Sequence, residues 1–348
     1  MRKLASIKRI DTIEPIEGAD KIELATVGGW KVVVAKNVGH SEGDMVVYCE
    51  IDSFLPIEPE FEFLRKSSYK KMVDGTEGFR LKTIRLRGQY SQGLIIPLQD
   101  AHEIIHRNGP NVSVGLFEGL DVTEMLGITK WEPPVPANLA GVAKGNFPSF
   151  IKKTDEERCQ NLKVEYEGWK DSDEEFYVTE KLDGSSATFY HRDGEFGICS
   201  RNLELKRNED NTFWKVAKEL KIEEKLKELG RNISIQGELI GEGIQKNRYK
   251  IKGHTVRFFN VFDIDKFEKV SYDDFVKTIG EDLELQTVPI TVVPGFKLPE
   301  TIDDLLKMAE AKSIMNDKAE REGVVIRSRD NKISFKAISN KFLLKSGD

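Results

Sequence analysis

One break in composition constrains this chain more than any other feature. Residues 131–150, WEPPVPANLAGVAKGNFPSF, combine prolines and small residues with no apolar period, and read as a connection between two folding units. Ahead of the break lie short β-branched runs, GWKVVVAKNV, DMVVYCEIDSFL, FRLKTIRLRGQ and GLIIPL, punctuated by Gly and Asp. That pattern predicts an all-β barrel or sandwich. Behind the break, strands alternate with amphipathic helices. DNTFWKVAKELKIEEKLKELG predicts one long helix that stops at Gly230, while Ser271 and Thr301 are placed to cap two more. The expected organisation is α+β: an all-β domain over 1–132, a linker over 133–147 and an α+β domain over 148–348.

With 348 residues, both units have room for a sizeable core. The chain is 39% hydrophobic and 32% charged, a globular composition, and no apolar run approaches the roughly 20 residues of a membrane-crossing helix. The opening MRKLASIKRIDTIEP has basic residues but no apolar stretch, so no signal peptide is visible. Cys49, Cys159 and Cys199 are scattered, which suits reduced thiols and makes neither a disulfide framework nor a zinc cluster. A cytoplasmic monomer that does not bind membranes is expected. The net charge of −6 argues against indiscriminate coating of nucleic acid but leaves room for a local basic surface.

HEIIH at 102–106 matches the H-E-x-x-H pattern, in which one helix face presents two zinc ligands. RNGPN follows at once and cuts the helix short, and no third ligand is evident nearby. His102 and His106 therefore read as residues of a short surface helix.

VTEKLDGSSATFY, residues 178–190, reads differently. It looks like a strand running into a hairpin, with Lys181 between Glu180 and Asp183 in front of a glycine turn. Possible partners follow in order. After a second turn at Asp193-Gly194 comes CSRN with Arg201 and Asn202, then IQGELIGEGIQ with Glu238 and FFNVFDID with Phe262 and Asp263. REGVVIRS with Glu322 and ISFKAISNKF with Lys336 complete the series. Singly, each is ordinary. Phe262 would be core, Lys336 and Lys341 solvated strand residues, Lys181 one surface lysine among many, and Glu180 would act through its backbone or face solvent.

Together, K-L-D-G, S-R-N, G-E-L-I-G, F-D, E-G-V-V and F-K resemble the ordered nucleotidyltransferase motifs of ATP-dependent ligases and RNA capping enzymes. G-E-L-I-G-E-G-I-Q and the upstream FPSFIKKTDEERCQNL are similar to the RNA ligases in particular. GFRLKTIRLRGQYSQGL looks like part of the N-terminal OB domain of the family-5 RNA ligases. The resemblance implies an OB-like barrel followed by antiparallel sheets flanked by helices. It implies Lys181 as the residue that forms lysyl-AMP from ATP, Glu238 on the ribose and Phe262 stacked on adenine. Glu180, Arg201, Asn202, Lys336 and Arg158 would bind the rest of the nucleotide, Arg158 at the β and γ phosphates. Asp183, Asn202 and Glu322 would serve Mg²⁺ or Mn²⁺. Where the family pattern has a second cation soon after Lys336, this chain has Ile338, which leaves Lys341 without a clear role. DNA ligases and capping enzymes with these motifs carry their OB domain behind them, whereas the OB-like segment here lies in front.

The chemistry accounts for these residue types. A lysine that attacks phosphorus must be neutral. At an ordinary pKa near 10.4, about one in a thousand is neutral at pH 7.4, a penalty of about 4 kcal/mol. Glu180 and Asp183 alone push the wrong way, so a cation that offsets them is expected beside the lysine. In the first domain, residues 64–90 hold eight Lys or Arg against two acids, with Tyr69, Phe79 and Tyr90 interleaved. Arg80, Lys82, Arg85 and Arg87 are the expected contacts to RNA or an RNA-containing duplex; the bland alternative is a hairpin that keeps the domain soluble. The expected activity is ATP-dependent sealing of 3′-OH and 5′-phosphate RNA ends, at nicks. A DNA nick ligase, or a nucleic-acid-binding protein with another nucleotidyl transfer activity, is the alternative.

Overall fold

The computed structural model describes residues 3–72, 75–108, 115–131 and 141–346. The chain divides into two compact units, 1–134 together with 343–348, and 135–342.

Short strands dominate the first unit. Ala5–Arg9, Met45–Cys49 and Leu94–Pro97 form one antiparallel sheet, and Thr12–Pro15, Ile22–Val27 and Trp30–Ala35 a second. A third joins Thr129–Lys130, Ser53–Leu55, Glu77–Arg80 and Tyr69–Lys71. Alternate residues point inward, so Ile7, Val47, Leu55 and Phe79 bury completely and share a core with Phe61. The Leu98–Asn108 helix covers that core with Ala101 and Ile104, which leaves His102 and His106 on its exposed face, ring centroids 6.1 Å apart.

The second unit contains two larger sheets. The first runs in the order Ala143–Asn146, Leu203–Leu205, Glu195–Cys199, Ser185–Arg192, Ile233–Gly241, His254–Asp263 and Glu268–Lys269, antiparallel throughout. The second runs Glu157–Arg158, Ser334–Ile338, Gly323–Ser328, Phe176–Lys181 and Ile290–Phe296, with only its first pair parallel. Helices cover one face of each. Trp214, Val216, Ile222, Leu226 and Phe275 pack on the seven-stranded sheet, and Tyr166, Ile302, Leu305 and Leu306 on the five-stranded one. Ser271 and Thr301 cap their helices as expected, accepting from the amides of Asp274 and Asp304. Among the described residues no helix is long and apolar enough to cross a membrane.

Three local expectations are corrected. The single helix over 210–230 is two helices, Thr212–Glu219 and Ile222–Leu229, separated by a left-handed Lys221 at φ 54°. The break turns Ile222 and Leu226 into the same core as Trp214 and Val216, where both halves bury their apolar stripe. Gly230 ends the second helix left-handed at φ 64°, as its sequence position suggests.

Residues 133–140 of the expected linker lie outside the described residues. The stretch after them is not a linker, because Ala143–Asn146 pairs with Leu203–Leu205 as an edge strand. AKGN has no β-branched residue to announce a strand; it pairs through its backbone.

K-L-D-G is not the start of a hairpin. Phe176–Lys181 belongs to the five-stranded sheet and Ser185–Arg192 to the seven-stranded one, so Leu182–Gly184 is the step between them. A Cβ on Gly184 would lie 2.4 Å from the Leu239 carbonyl oxygen and 2.9 Å from Glu238 Cγ. Close approach of a neighbouring strand therefore demands this glycine, which has no positive φ. Gly323 is under the same constraint, 2.2 Å from the Ala337 carbonyl oxygen.

Gly323→Ala is expected to destabilise the second unit by about 1–3 kcal/mol, the range for overpacking. Gly145→Ala, at a strand position with no atom within 4 Å of the added Cβ, is the matched control. Thermal melts that show equal midpoints for the two variants would contradict the close-approach account.

Candidate active site

Sheet register brings the site together. Lys181 ends its strand paired with Gly323, which sets Glu322 beside the amine. Lys181 Nζ donates to Glu322 Oε1 at 2.7 Å, while Glu322 Oε2 is buried with no hydrogen-bond partner. Glu238 sits across from Ser186 on one side and Arg257 on the other. Two residues beyond Lys181, the Asp183 amide donates to Tyr249 Oη at 2.6 Å. Asp183 Oδ2 also lies 2.5 Å from Arg248 Nε, an ion pair that is not aligned as a hydrogen bond.

The charge balance of this cluster is anionic, since Asp183, Glu238 and Glu322 surround one lysine and one arginine. Burial is the largest influence on Lys181 and favours the neutral amine. The fields of Glu322, Glu238 and Asp183 together outweigh it and hold the amine above its ordinary pKa. The carboxylates respond in the opposite sense. Burial, then the charge of Glu322, pushes Asp183 up to about 6 against the pull of Arg248 and Lys181. Glu238 is pushed up to about 8, chiefly by burial, with Glu322 and Asp183 adding to it. An orphaned buried carboxylate oxygen among carboxyls with raised pKa fits a divalent cation. Among the described residues no group of three or more His, Cys, Asp or Glu side chains forms a cage for a metal by itself. Any cation here would need ligands from substrate and water.

The predicted phosphate contacts gather at a second cluster. Lys336 pairs with Val325, which pairs with Thr179, so Lys336 shares the sheet face of Lys181. Arg158 is buried and pairs with Lys336 from the parallel edge strand. Asp155 reaches both remaining cations, with Oδ1 3.5 Å from Lys336 Nζ and Oδ2 3.8 Å from Arg201. Asn202 is exposed and accepts from Lys153 Nζ at 3.1 Å.

Two predicted residues are placed differently from expectation. Glu180 neither faces solvent nor turns its carboxylate toward Lys181. It is buried and accepts from Ser313 Oγ at 2.5 Å and from the Ile314 amide at 2.8 Å, because strand alternation directs neighbouring side chains to opposite faces. Phe262 does share the face of Glu238, through the pairs Ser234–Phe262 and Glu238–Arg257. Its ring, however, is fully buried against Ile151, Tyr190, Cys199 and Phe267. Phe259, unpaired at a bulge on the same strand, is half-buried near Leu182, with the Arg327 guanidinium 5.9 Å from its ring.

Arg248, Tyr249 and Asp155 were not singled out from the sequence. The first two lie in QKNRYK directly behind the Glu238 motif, where Gln245, Lys246, Asn247 and Lys250 all take positive φ. A basic and an aromatic residue so close to a motif carboxylate were the available signal. Asp155 was visible as an acid two residues after the Lys152-Lys153 pair. In the first unit, Arg85 and Arg87 are exposed, whereas the Arg80 guanidinium is 5.3 Å from the Trp131 ring and Lys82 is half-buried.

Comparison with known proteins agrees with this architecture. An OB-fold domain family model matches residues 4–98, and an RNA ligase family model matches residues 174–345. No curated protein matches the chain. Among solved structures, a variant Naegleria gruberi RNA ligase with ATP and Mn is 42% identical, with 98% of each chain covered and a TM-score of 0.88. Another variant of that ligase, with AMP and Mn, is 41% identical over 98% of each chain, with a TM-score of 0.89. The same ligase with PPi is 42% identical over 99% of this chain and 98% of that one, with a TM-score of 0.87. The chain belongs to the RNA ligase family, with an OB-fold domain ahead of its ligase domain.

Proposed function

We propose that this RNA ligase joins a 3′-OH to a 5′-phosphate at nicks in RNA-containing duplexes, using ATP and a lysyl-AMP at Lys181. The observation that carries the reading is the Lys181 amine, 2.7 Å from Glu322 Oε1 and in the field of Glu238 and Asp183. In the first step Nζ attacks the α-phosphorus and gives up a proton, and the bond to the β-phosphate oxygen breaks to release pyrophosphate. The 5′-phosphate oxygen of the nick then takes the AMP from Nζ. Finally the 3′-OH attacks that 5′-phosphorus and AMP leaves.

The ligands held by those Naegleria gruberi RNA ligase structures, ATP, AMP, PPi and Mn, support ATP and a divalent cation as the partners of this site. The substitutions those variants carry fall at a Lys, an Asp 2 residues on, a Glu 55 further, a Glu 85 beyond that and a Lys 14 later. Lys181, Asp183, Glu238, Glu322 and Lys336 follow the same order at spacings of 2, 55, 84 and 14.

Asp183 and Glu322 would hold magnesium or manganese, with Asn202 on its water shell. When bound, the cation supplies positive charge that offsets the carboxylates around the amine and the phosphate. Lys336 binds the α-phosphate, Arg201 and Arg158 the other nucleotide phosphates, and Glu238 the ribose. Glu180 contributes through its backbone. Adenine stacks on Phe262 and displaces part of that ring's present cover. Phosphoryl transfer gains most from such positioning and charge stabilisation.

Sealing of a nicked duplex with ATP and Mn²⁺ or Mg²⁺ tests the proposal. The wild type is expected to join a ribonucleotide-ended 3′-OH strand faster than its all-DNA counterpart, and Lys181→Ala to form no lysyl-AMP and seal neither. Equal sealing of both strands would make this a general nick ligase. Failure to seal either, with lysyl-AMP still formed, would redirect the AMP to another acceptor.

The raised pKa of Lys181 gives a pH dependence of known sign. Lower pH keeps the amine charged and protonates Asp183, a ligand of the proposed cation, so both effects slow adenylylation. At subsaturating metal, the single-turnover rate of lysyl-AMP formation is expected to climb about tenfold per pH unit from roughly pH 6 to 8. Added metal should move the profile to lower pH. A flat profile would contradict the charged resting amine.

The stacking assignment is checked with Phe262→Leu, which keeps most core volume. This variant is expected to raise the ATP KM of adenylylation about tenfold, near 1.4 kcal/mol, against about twofold for Phe259→Leu. The reverse order would move adenine to Phe259.

A further inference from the structure

The OB-fold unit carries a projecting two-stranded ribbon that the ligase chemistry does not explain. Thr83–Leu86 and Gln89–Gln92 pair only with each other within their sheet, joined by Arg87 at φ 46° and Gly88 at φ 84°. Two central residues with positive φ make a tight hairpin turn whose twist matches its strands. The base is fixed. Thr83, Ser91 and Gln92 are buried, Ser91 Oγ accepts from the Val33 amide at 3.0 Å, and Tyr48 Oη donates to the Gln92 carbonyl at 2.7 Å. Beyond that base, residues 84–89 are all exposed.

The register divides the ribbon into two faces. Ile84 opposite Ser91 and Leu86 opposite Gln89 form one, and Arg85 opposite Tyr90 lies on the other. Ile84 and Leu86 are 46% and 38% exposed, unusual for neighbouring large apolar residues on one strand. On the second face the Arg85 guanidinium is 5.7 Å from the Tyr90 ring, and Arg87 stands at the tip. From Gly78 to Gln99 the sequence holds four cations and no Asp or Glu, within a chain of net charge −6.

We infer that this ribbon docks in the minor groove of the RNA duplex that the enzyme seals. The inference rests on the RNA ligase reading and deepens it. An A-form minor groove is wide and shallow and lined by riboses and their 2′-hydroxyls. A two-stranded ribbon presents to it an apolar face, Ile84 and Leu86, which packs on sugar rings. Arg85 and Arg87 reach the flanking phosphates, and the complementary charge selects nucleic acid over an apolar protein partner. Of the four cations expected from the sequence to meet RNA, this assigns the direct contacts to Arg85 and Arg87. Arg80 supports the strand behind them from its place beside Trp131.

Two double variants of the full chain test the ribbon. Arg85→Gln with Arg87→Asn removes both charges and keeps a residue that tolerates positive φ at the turn. Ile84→Thr with Leu86→Thr keeps β-forming residues and removes the apolar face. The probe is a nicked duplex with an all-RNA 3′-OH strand, with lysyl-AMP formation measured in the absence of RNA and thermal melts as fold controls. The charge variant is expected to weaken duplex binding at least tenfold at about 0.1 M salt. It should also flatten the slope of log K against log salt by about 1.8, or 0.9 per lost phosphate contact. The apolar variant should bind more weakly with the slope unchanged, and both should form lysyl-AMP at the wild-type rate.

Wild-type affinity and slope in the charge variant would overturn the inference. So would an apolar variant that binds RNA normally but loses self-association, which would make the face a protein contact. A wild type that forms lysyl-AMP but neither binds nor seals the duplex would instead overturn the ligase reading and the ribbon's role with it. If the wild type seals and both variants seal equally well, the ribbon's role alone fails.

Discussion

The 2.7 Å contact between Lys181 Nζ and Glu322 Oε1 is the constraint around which the second unit is arranged. It joins the ends of two adjacent strands, and its charge balance decides what the amine can do. Left to burial alone, Lys181 would drift toward neutrality and react with any suitable electrophile. Glu322, Glu238 and Asp183 reverse that tendency and keep the amine charged. Under the proposed function, the nucleophile is therefore released only when positive charge arrives to satisfy the carboxylates. Asp183 near 6 and Glu238 near 8 express the same constraint from the anionic side. Arg248 relieves Asp183 in part, while one oxygen of Glu322 has no partner.

Backbone proximity makes this crowding possible. The strand of Leu239 must pass close to Gly184 in the step after Lys181, and the strand of Ala337 close to Gly323 opposite Lys181, and a side chain at either glycine would hold them apart. Gly184 admits the Leu239 carbonyl and Gly323 admits the Ala337 carbonyl. The glycines of K-L-D-G and E-G-V-V therefore act through what they omit. A Cβ at either would move Glu238 or Glu322 relative to the amine, by distances over which Coulomb energies in a partly buried site change appreciably.

Much of this was legible in the sequence because the chemistry demands particular residue types in order. Lys181, Asp183, Glu238 and Glu322 do converge, and the helix caps at Ser271 and Thr301 follow local rules that tertiary structure leaves intact. What was not legible depends on register and on faces. Nothing in K-L-D-G distinguishes a turn within one sheet from a step between two. The bulge that leaves Phe259 unpaired on its strand is invisible in FFNVFDID, as is the cover over Phe262. The break at Lys221 runs against a helical period that continues without interruption through the residue. Arg248 and Tyr249 are not legible because they grip Asp183 from a loop remote in sequence, whose backbone conformation no propensity suggests.

Glu180 shows how one strand end serves two purposes. Because its side chain points away from that of Lys181, it cannot share the amine's carboxylate cluster. Burial raises its pKa, and hydrogen bonds from Ser313 and the Ile314 amide, with Arg321 nearby, work against that rise. Those partners lie in the segment that leads directly into Glu322. Arg321 fixes the end of the same segment by donating to the carbonyls of Met308 and Ala309. A buried carboxylate with both oxygens hydrogen-bonded resists displacement, since breaking either bond would leave an unsatisfied group in the interior. Lys181 and the approach to Glu322 are thus anchored from the same two-residue step of one strand. The separation of amine and carboxylate is held by backbone on one face and by Glu180 on the other.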